Sequence, residues 1–209
     1  MKKGFMLVFD GSNGAGKTTV IKGVEKYLTL KGFDVLLTRE PGGTPIGEKI
    51  REVILDPSTP EMCYMTELML FGAGRAQHVQ EKIIPALAQG KIVISDRFDA
   101  ATFSFQHFAR GIDLDTIIKI NDLALAGFMP DMNIILDLDP HEGLKRVISR
   151  GEGLDRLEDE KSDFLAKARD GYLKQAEQSP ERFEIIDAAQ SKEDVLSDVI
   201  HIIDALLES

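Results

Sequence analysis

The sequence predicts an α/β protein: a five-stranded parallel sheet with helices on both faces. Two observations carry that expectation. Short apolar runs recur along the chain, and each pair is separated by a stretch with helical periodicity, the pattern of strands joined by crossover helices. A third observation, a glycine-rich stretch directly after the first run, says where a ligand belongs.

The strands are taken in order. Residues 5–9 (FMLVF) form an unbroken apolar run, as expected of a strand buried on both faces. Residues 34–38 (DVLLT), 91–96 (KIVISD), 132–138 (MNIILDL) and 182–187 (RFEIID) supply the other four. Helices are expected over 17–31, 45–54, 61–88, 112–127, 140–150, 159–178 and 191–207. In the last, Val195, Leu196, Val199, Ile203, Leu206 and Leu207 share one helical side. No repeat, low-complexity tract or linker interrupts the pattern, so residues 1–209 are expected to form one domain.

Composition narrows the function. The chain carries 25 basic and 35 acidic residues, a net charge of −10. That balance argues against broad nucleic-acid binding, which needs a basic face. It leaves room for a small anion held by a few converging arginines. No apolar stretch reaches the length of a membrane span. The start, MKKGFMLVFDG, is too short in its apolar part for a signal peptide and is read as the first strand. A single cysteine, Cys63, excludes an internal disulfide. These features are those expected of a cytoplasmic protein without a membrane partner.

The stretch Gly11-Ser12-Asn13-Gly14-Ala15-Gly16-Lys17-Thr18-Thr19 fits G-x-x-x-x-G-K-[ST]. Glycines let successive backbone N–H groups turn inward around a phosphate, and the following helix offers its positive end. Lys17 reaches the outer phosphates, and the Thr18 hydroxyl can ligate Mg²⁺. The stretch is therefore expected to wrap a nucleoside triphosphate. A hydrolytic switch and a phosphotransferase both remain open at this point. A guanine-binding switch usually carries Asn-Lys-x-Asp, which is absent.

A transferase needs a second anion site facing the first. TREPGGT (38–44) follows the second strand and puts Arg39 at a sheet edge where ligands bind. SDRF (95–98) follows the third. There Asp96 can hold Mg²⁺ or its water, and the Arg97 fork can grip a phosphate. In LFGAGRAQH (70–78), Phe71 and Arg75 lie four apart on one helical face, an aromatic plane beside a guanidinium and so a candidate reader of a base. Residues 149–162 (SRGEGLDRLEDEKS) are a charged lid candidate whose Arg150 and Arg156 would cover the phosphates. Asp10, closing the first strand, points toward the same place. The four histidines show no metal spacing and are read as structural or surface residues.

Together, GSNGAGKTT, TREPGGT, ELMLFGAGRAQH, SDRFDAATFSFQ and RGEGLDRLE resemble the bacterial thymidylate kinases, in order, over residues 3 to 207. The resemblance implies a mobile-lid kinase of the P-loop type, transfer of the ATP γ-phosphate to dTMP with Mg²⁺, and commonly a homodimer. It implies that Arg39 and Arg97 hold the dTMP phosphate. It puts thymine on Phe71, with Arg75 addressing its carbonyl and Thr102 and Gln106 at or near the base. Three positions depart from the family pattern: Asn13 replaces a carboxylate, Phe105 replaces a tyrosine beside the sugar, and Gly153 is an extra glycine in the lid. A kinase for another deoxynucleoside monophosphate, or an inactive nucleotide-binding regulator, remain the alternatives.

Overall fold

The computed structural model describes residues 4–149, 156–157, 160 and 162–208. The five predicted strands are β1 (Met6–Gly11), β2 (Val35–Arg39), β3 (Ile92–Asp96), β4 (Met132–Asp137) and β5 (Phe183–Asp187). All neighbouring pairs are parallel, and the order is β2-β3-β1-β4-β5. β1 is central because it is apolar on both sides. Leu7 and Phe9 pack under α1 (Lys17–Leu30) and α9 (Lys192–Glu208), while Met6 and Val8 pack against Val79, Ile83 and Phe98 on the other face.

The helices follow the periodicity with two differences. The expected helix over 61–88 is α3 (Tyr64–His78), then a π-helical stretch Val79–Ile83, then α4 (Ile84–Ala88). Pro85 lies at the start of α4. It has no N–H for an i→i−4 bond, which is compatible with a local change of helical pitch there. The second difference is a helix the sequence reading left out: α5 (Asp99–Thr102) continues as a π-helical stretch Phe103–Ala109. Its residues are aromatic and alanine-rich, with no side-chain cap at the N-terminus to announce it. It forms because its buried side packs on α8 (Ser162–Gln178), with Phe105 against Phe164 and Tyr172.

The remaining helices are α2 (Pro45–Leu55), α6 (Leu114–Leu125) and α7 (Pro140–Ile148). Thr44 caps α2 by accepting the Gly47 N–H at 3.0 Å, and Asp139 caps α7 through the His141 N–H at 2.8 Å. No helix among the described residues is long and apolar enough to cross a membrane.

Strand order places the C-terminal ends of β1 and β3 side by side, with Phe9 opposite Asp96. The glycine-rich loop leaves β1 there and is braced from behind by α7. The contact is backbone against backbone. A Cβ on Gly143 would lie 2.1 Å from the Asn13 carbonyl oxygen, and one on Gly14 would lie 2.2 Å from the Gly143 oxygen. Gly14 also has φ of 77°, a conformation that favours glycine. Gly143→Ala is therefore expected to destabilise the fold by about 1–3 kcal/mol and to displace the loop. A thermal melt that matched the native protein would contradict this packing.

Candidate active site

A cleft of about 660 Å³ opens at the C-terminal edge of the sheet. Its lining brings together Lys17, Thr18, Arg39, Phe71, Asp96 and Arg97, residues spread over 80 positions of sequence. Asn13, Gly14, Gly16, Thr19, Arg75, Thr102, Phe105 and Gln106 also face it. Asp10 lies beneath the floor, fully buried.

Lys17 is buried at the start of α1, and its ammonium donates to the carbonyls of Gly11 and Ser12 at 3.3 and 3.2 Å. The loop thus holds the lysine head across its own mouth. Gly16 has φ of 94°, and a Cβ there would meet nothing within 4 Å, so the space in front of it is open. The Thr18 and Thr19 side chains are exposed beside that space.

Arg97 is the hub. Its Nη1 donates to Asp10 Oδ1 at 3.3 Å and to the Tyr172 hydroxyl at 2.9 Å, and its Nη2 donates to Asn13 Oδ1. The guanidinium carbon lies 5.1 Å from the Phe105 ring centre. Its backbone has φ of 70°, uncommon for a residue with a Cβ. Two hydrogen bonds keep it there: Arg97 N–H to the Phe9 carbonyl at 2.8 Å, and Ser95 Oγ to the Arg97 carbonyl at 2.7 Å. Asn13, where the family pattern has a carboxylate, is an acceptor to this arginine.

Tyr172 donates to Asp10 at 2.6 Å and so closes a triangle with Arg97. No local signal marks a mid-helix tyrosine, 162 residues away from Asp10 in sequence, as part of a site. Burial pushes the Asp10 carboxyl up to about 6, and Arg97, Tyr172 and Lys17 pull against that rise.

Arg39 is exposed, lines the cleft and pairs with Glu48 at 2.9 Å. The other Glu48 oxygen accepts the Gly43 N–H at 2.8 Å, so one carboxylate holds both the arginine and the turn after it. Arg51, which sequence reasoning passed over, donates to the Pro41 carbonyl at 2.8 Å and also faces the cleft. The Glu40–Pro41 bond in this turn is cis.

Arg75 departs from expectation. The sequence reading has its guanidinium addressing a ligand carbonyl. In the structure it is nearly fully buried and its N–H groups turn inward, to Glu40 Oε2, Thr102 Oγ1, Asn121 Oδ1 and the Phe98 carbonyl, at 2.7 to 2.9 Å. Glu40 is held in turn by His78 Nδ1 at 3.0 Å, and Thr38 Oγ1 lies 2.6 Å from the other ring nitrogen. His78 is thus a buried structural residue. Most of these buried polar groups satisfy one another, which makes their burial tolerable; the Asn121 Nδ2 group is left without a partner among the described residues.

Arg156 also departs. It was expected over the phosphates. Its Nη2 instead lies 2.5 Å from Glu67 Oε2 and its Nε donates to the Ile54 carbonyl at 2.8 Å, outside the cleft lining. The buried Glu67 carboxylate, which Arg110 and Gln106 also meet, takes Arg156 as a further donor. Arg150, Gly153 and most of the lid candidate lie outside the described residues.

Oxygen donors for a divalent cation are present in the Thr18 hydroxyl and the Asp96 carboxylate, both facing the cleft. Among the described residues there is no cluster of three or more His, Cys, Asp or Glu that would cage a metal. Two hard oxygen groups beside open space are a donor set that fits Mg²⁺, which keeps several waters and shares phosphate oxygens.

The Asp10 shift makes a stability prediction. A carboxyl raised from 3.8 to about 6 holds its proton more tightly in the folded state. Its contribution is present below the unfolded value and is lost as pH rises through about 6, a change of about 3 kcal/mol. Urea unfolding from pH 4 to 7 should show this fall in the native protein and not in Asp10→Asn. Parallel profiles would mean that Asp10 titrates normally.

With the site in place, comparison with known proteins is direct. The family model described as thymidylate kinase matches residues 9–199. A thymidylate kinase of Geobacillus sp. (strain WCH70) is 47% identical over 196 residues, covering 93% of each chain. That of Clostridium novyi (strain NT) is 42% identical over 200 residues, covering 95% of this chain and 98% of the relative. The crystal structure of thymidylate kinase from Ehrlichia chaffeensis superposes with a TM-score of 0.77 at 31% identity, covering 96% of this chain and 98% of that one. The match runs over nearly the whole of this chain and of its relatives, and the chain belongs to the thymidylate kinase family.

Proposed function

We propose that this cleft holds ATP on the Gly11–Thr19 loop and dTMP against Arg39 and Arg97, and that the residues named here carry the transfer. As a thymidylate kinase the chain moves the γ-phosphate of ATP to dTMP, giving dTDP and ADP. The observation that carries the site reading is the shared cleft: Lys17 and Thr18 face Arg39 and Arg97 across it.

The chemistry follows from charge. An oxygen of the dTMP phosphate attacks the γ-phosphorus, and the bond from that phosphorus to the β–γ bridging oxygen breaks. With a second pKa near 6 the attacking phosphate is already mostly ionised at neutral pH, so no strong base is required. The barrier is the meeting of two anions. Lys17 takes the outer phosphates of ATP, and Arg97 and Arg39 hold and align the acceptor. Thr18 and Asp96 would hold Mg²⁺, whose charge would offset that of the phosphates when it is bound. Phe71 supplies a stacking face for the base, and Thr102 and Gln106 meet its edge. Phe105, packed against Arg97, crowds the sugar.

The whole chain acts as one kinase unit in the cytoplasm, as a homodimer. Supporting the dimer, α2, α3 and α6 pack side by side and leave Val53, Met65, Met69, Ile118 and Leu123 exposed.

The test is ADP release with ATP, Mg²⁺ and a panel of acceptors: dTMP, dUMP, UMP, dCMP and dGMP. dTMP should lead by tenfold or more. Another leading acceptor would overturn the base assignment while leaving the phosphate chemistry standing. Arg97→Ala should lower turnover by about a hundredfold or more. Arg97→Gly should lose the same activity yet be more stable than the alanine variant by about 1 kcal/mol, because only glycine takes a positive φ without strain. Near-normal turnover in either variant would remove Arg97 from the mechanism.

A further inference from the structure

Glu67 is fully buried on α3, and the phosphate chemistry makes no use of it. Four donor contacts converge on its carboxylate. Gln106 Nε2 donates to Oε1 at 3.0 Å. Arg110 donates through Nε and Nη2, each at 3.2 Å, and Arg156 Nη2 lies at 2.5 Å. Burial by itself pushes this carboxyl up, but the hydrogen bonds from Arg110, Gln106 and Arg156 win and hold it below its ordinary value. It is therefore a carboxylate at neutral pH, and a carboxylate only accepts hydrogen bonds.

That fact fixes the neighbouring amide. Gln106 must turn its NH₂ group toward Glu67. With the amide so oriented, the carbonyl oxygen Oε1 is the polar atom left for the cleft, which Gln106 lines. Among the described residues no donor reaches that oxygen. One helical turn away, Thr102 Oγ1 accepts from Arg75 Nη1 at 2.9 Å, which leaves that hydroxyl one lone pair and a rotatable hydrogen. Asn121, Glu40 and the Phe98 carbonyl occupy the rest of the Arg75 fork and hold it in this orientation. The base end of the cleft, bounded by Phe71, thus offers one fixed acceptor, Gln106 Oε1, beside an adaptable hydroxyl.

We propose that Glu67 is a specificity-determining positioning residue: it locks the Gln106 amide so that the base edge must donate a hydrogen bond to it. That acceptor fits a 4-oxopyrimidine, whose N3–H donates to it. It opposes a 4-aminopyrimidine, whose N3 also accepts. An unanchored glutamine would discriminate poorly, because rotation of the amide exchanges its donor and acceptor ends. The inference rests on the reading that Gln106 meets the base edge, and the test separates the two.

The experiment measures Kd for dTMP and dCMP by titration calorimetry, with the KM for ATP as control. In Glu67→Gln the ratio of dCMP Kd to dTMP Kd should fall by about tenfold or more, since buried polar mismatch is what rejects the wrong base. The KM for ATP should stay within twofold. A purely structural role would weaken both monophosphates alike and leave the ratio in place. Gln106→Met removes the amide outright. If it keeps the native ratio, Gln106 does not read the base and the proposal falls with it. If Gln106→Met collapses the ratio while Glu67→Gln leaves it within twofold, Glu67 does not set the amide and the proposal alone is overturned. Should Glu67→Gln fail to fold, Glu67→Asp keeps the charge but withdraws it by one methylene, and is judged by the same ratio.

Discussion

The buried carboxylate of Asp10 is the point on which the working end of the molecule depends. It lies one residue before the end of the central strand β1, and it is fully removed from water. A lone ion there would be costly to bury, so its environment must answer it. Arg97 from the end of β3 and Tyr172 from α8 do so, and the Phe98 N–H approaches its second oxygen at 3.4 Å. Arg97 then reaches on to Asn13 in the phosphate loop. Strand end, loop, helix and the cleft-lining Arg97 are fixed relative to each other through one charge. The positive φ of Arg97 is consistent with that demand: the backbone adopts a conformation few residues use so that the guanidinium can sit between Asp10 and the cleft.

The net charge of −10 and the cationic cleft are compatible for a simple reason. Acidic side chains are distributed around the protein, whereas Lys17, Arg39, Arg51 and Arg97 all face one concavity. Low-dielectric walls strengthen the local field, so a few converging cations outweigh a distant surplus of anions. Several of these cations also touch protein oxygens: Lys17 on loop carbonyls, Arg39 on Glu48, Arg51 on the Pro41 carbonyl. Those contacts hold the heads in place before an anion arrives, which reduces the reorganisation needed when it does.

Two further buried carboxylates organise the polar groups around Arg75 and Gln106 as Asp10 organises those around Arg97. Glu40 orients Arg75 and is itself steadied by His78, which Thr38 contacts in turn. Glu67 gathers Gln106, Arg110 and Arg156. Each sits at the meeting of elements far apart in the chain, and each turns a flexible polar side chain into one with a set direction.

The sequence alone determined the architecture and the glycine-rich loop at its edge. The β1 run FMLVF is readable because a strand covered on both faces must be apolar throughout, and the loop after it is readable because nine consecutive residues make the whole phosphate cradle. Arg39 and Arg97 could be found because strand ends in a parallel sheet converge on one edge. What folding decided is how the polar groups pair. Tyr172 reaches Asp10 across 162 residues, and Glu67 meets Arg156 across 89. Neither spacing carries a local signature. Arg75 and Arg156 were legible as arginines near a site, but not as arginines turned toward buried Glu40 and Glu67, because the direction of a long side chain is set by the nearest unsatisfied charge. The helix over 99–109 was hidden for a related reason: its stability comes from packing on α8 rather than from caps or periodicity of its own. Chemistry contained within one stretch of chain is written in its order of residues, and chemistry assembled between stretches exists only once the fold has removed the water between them.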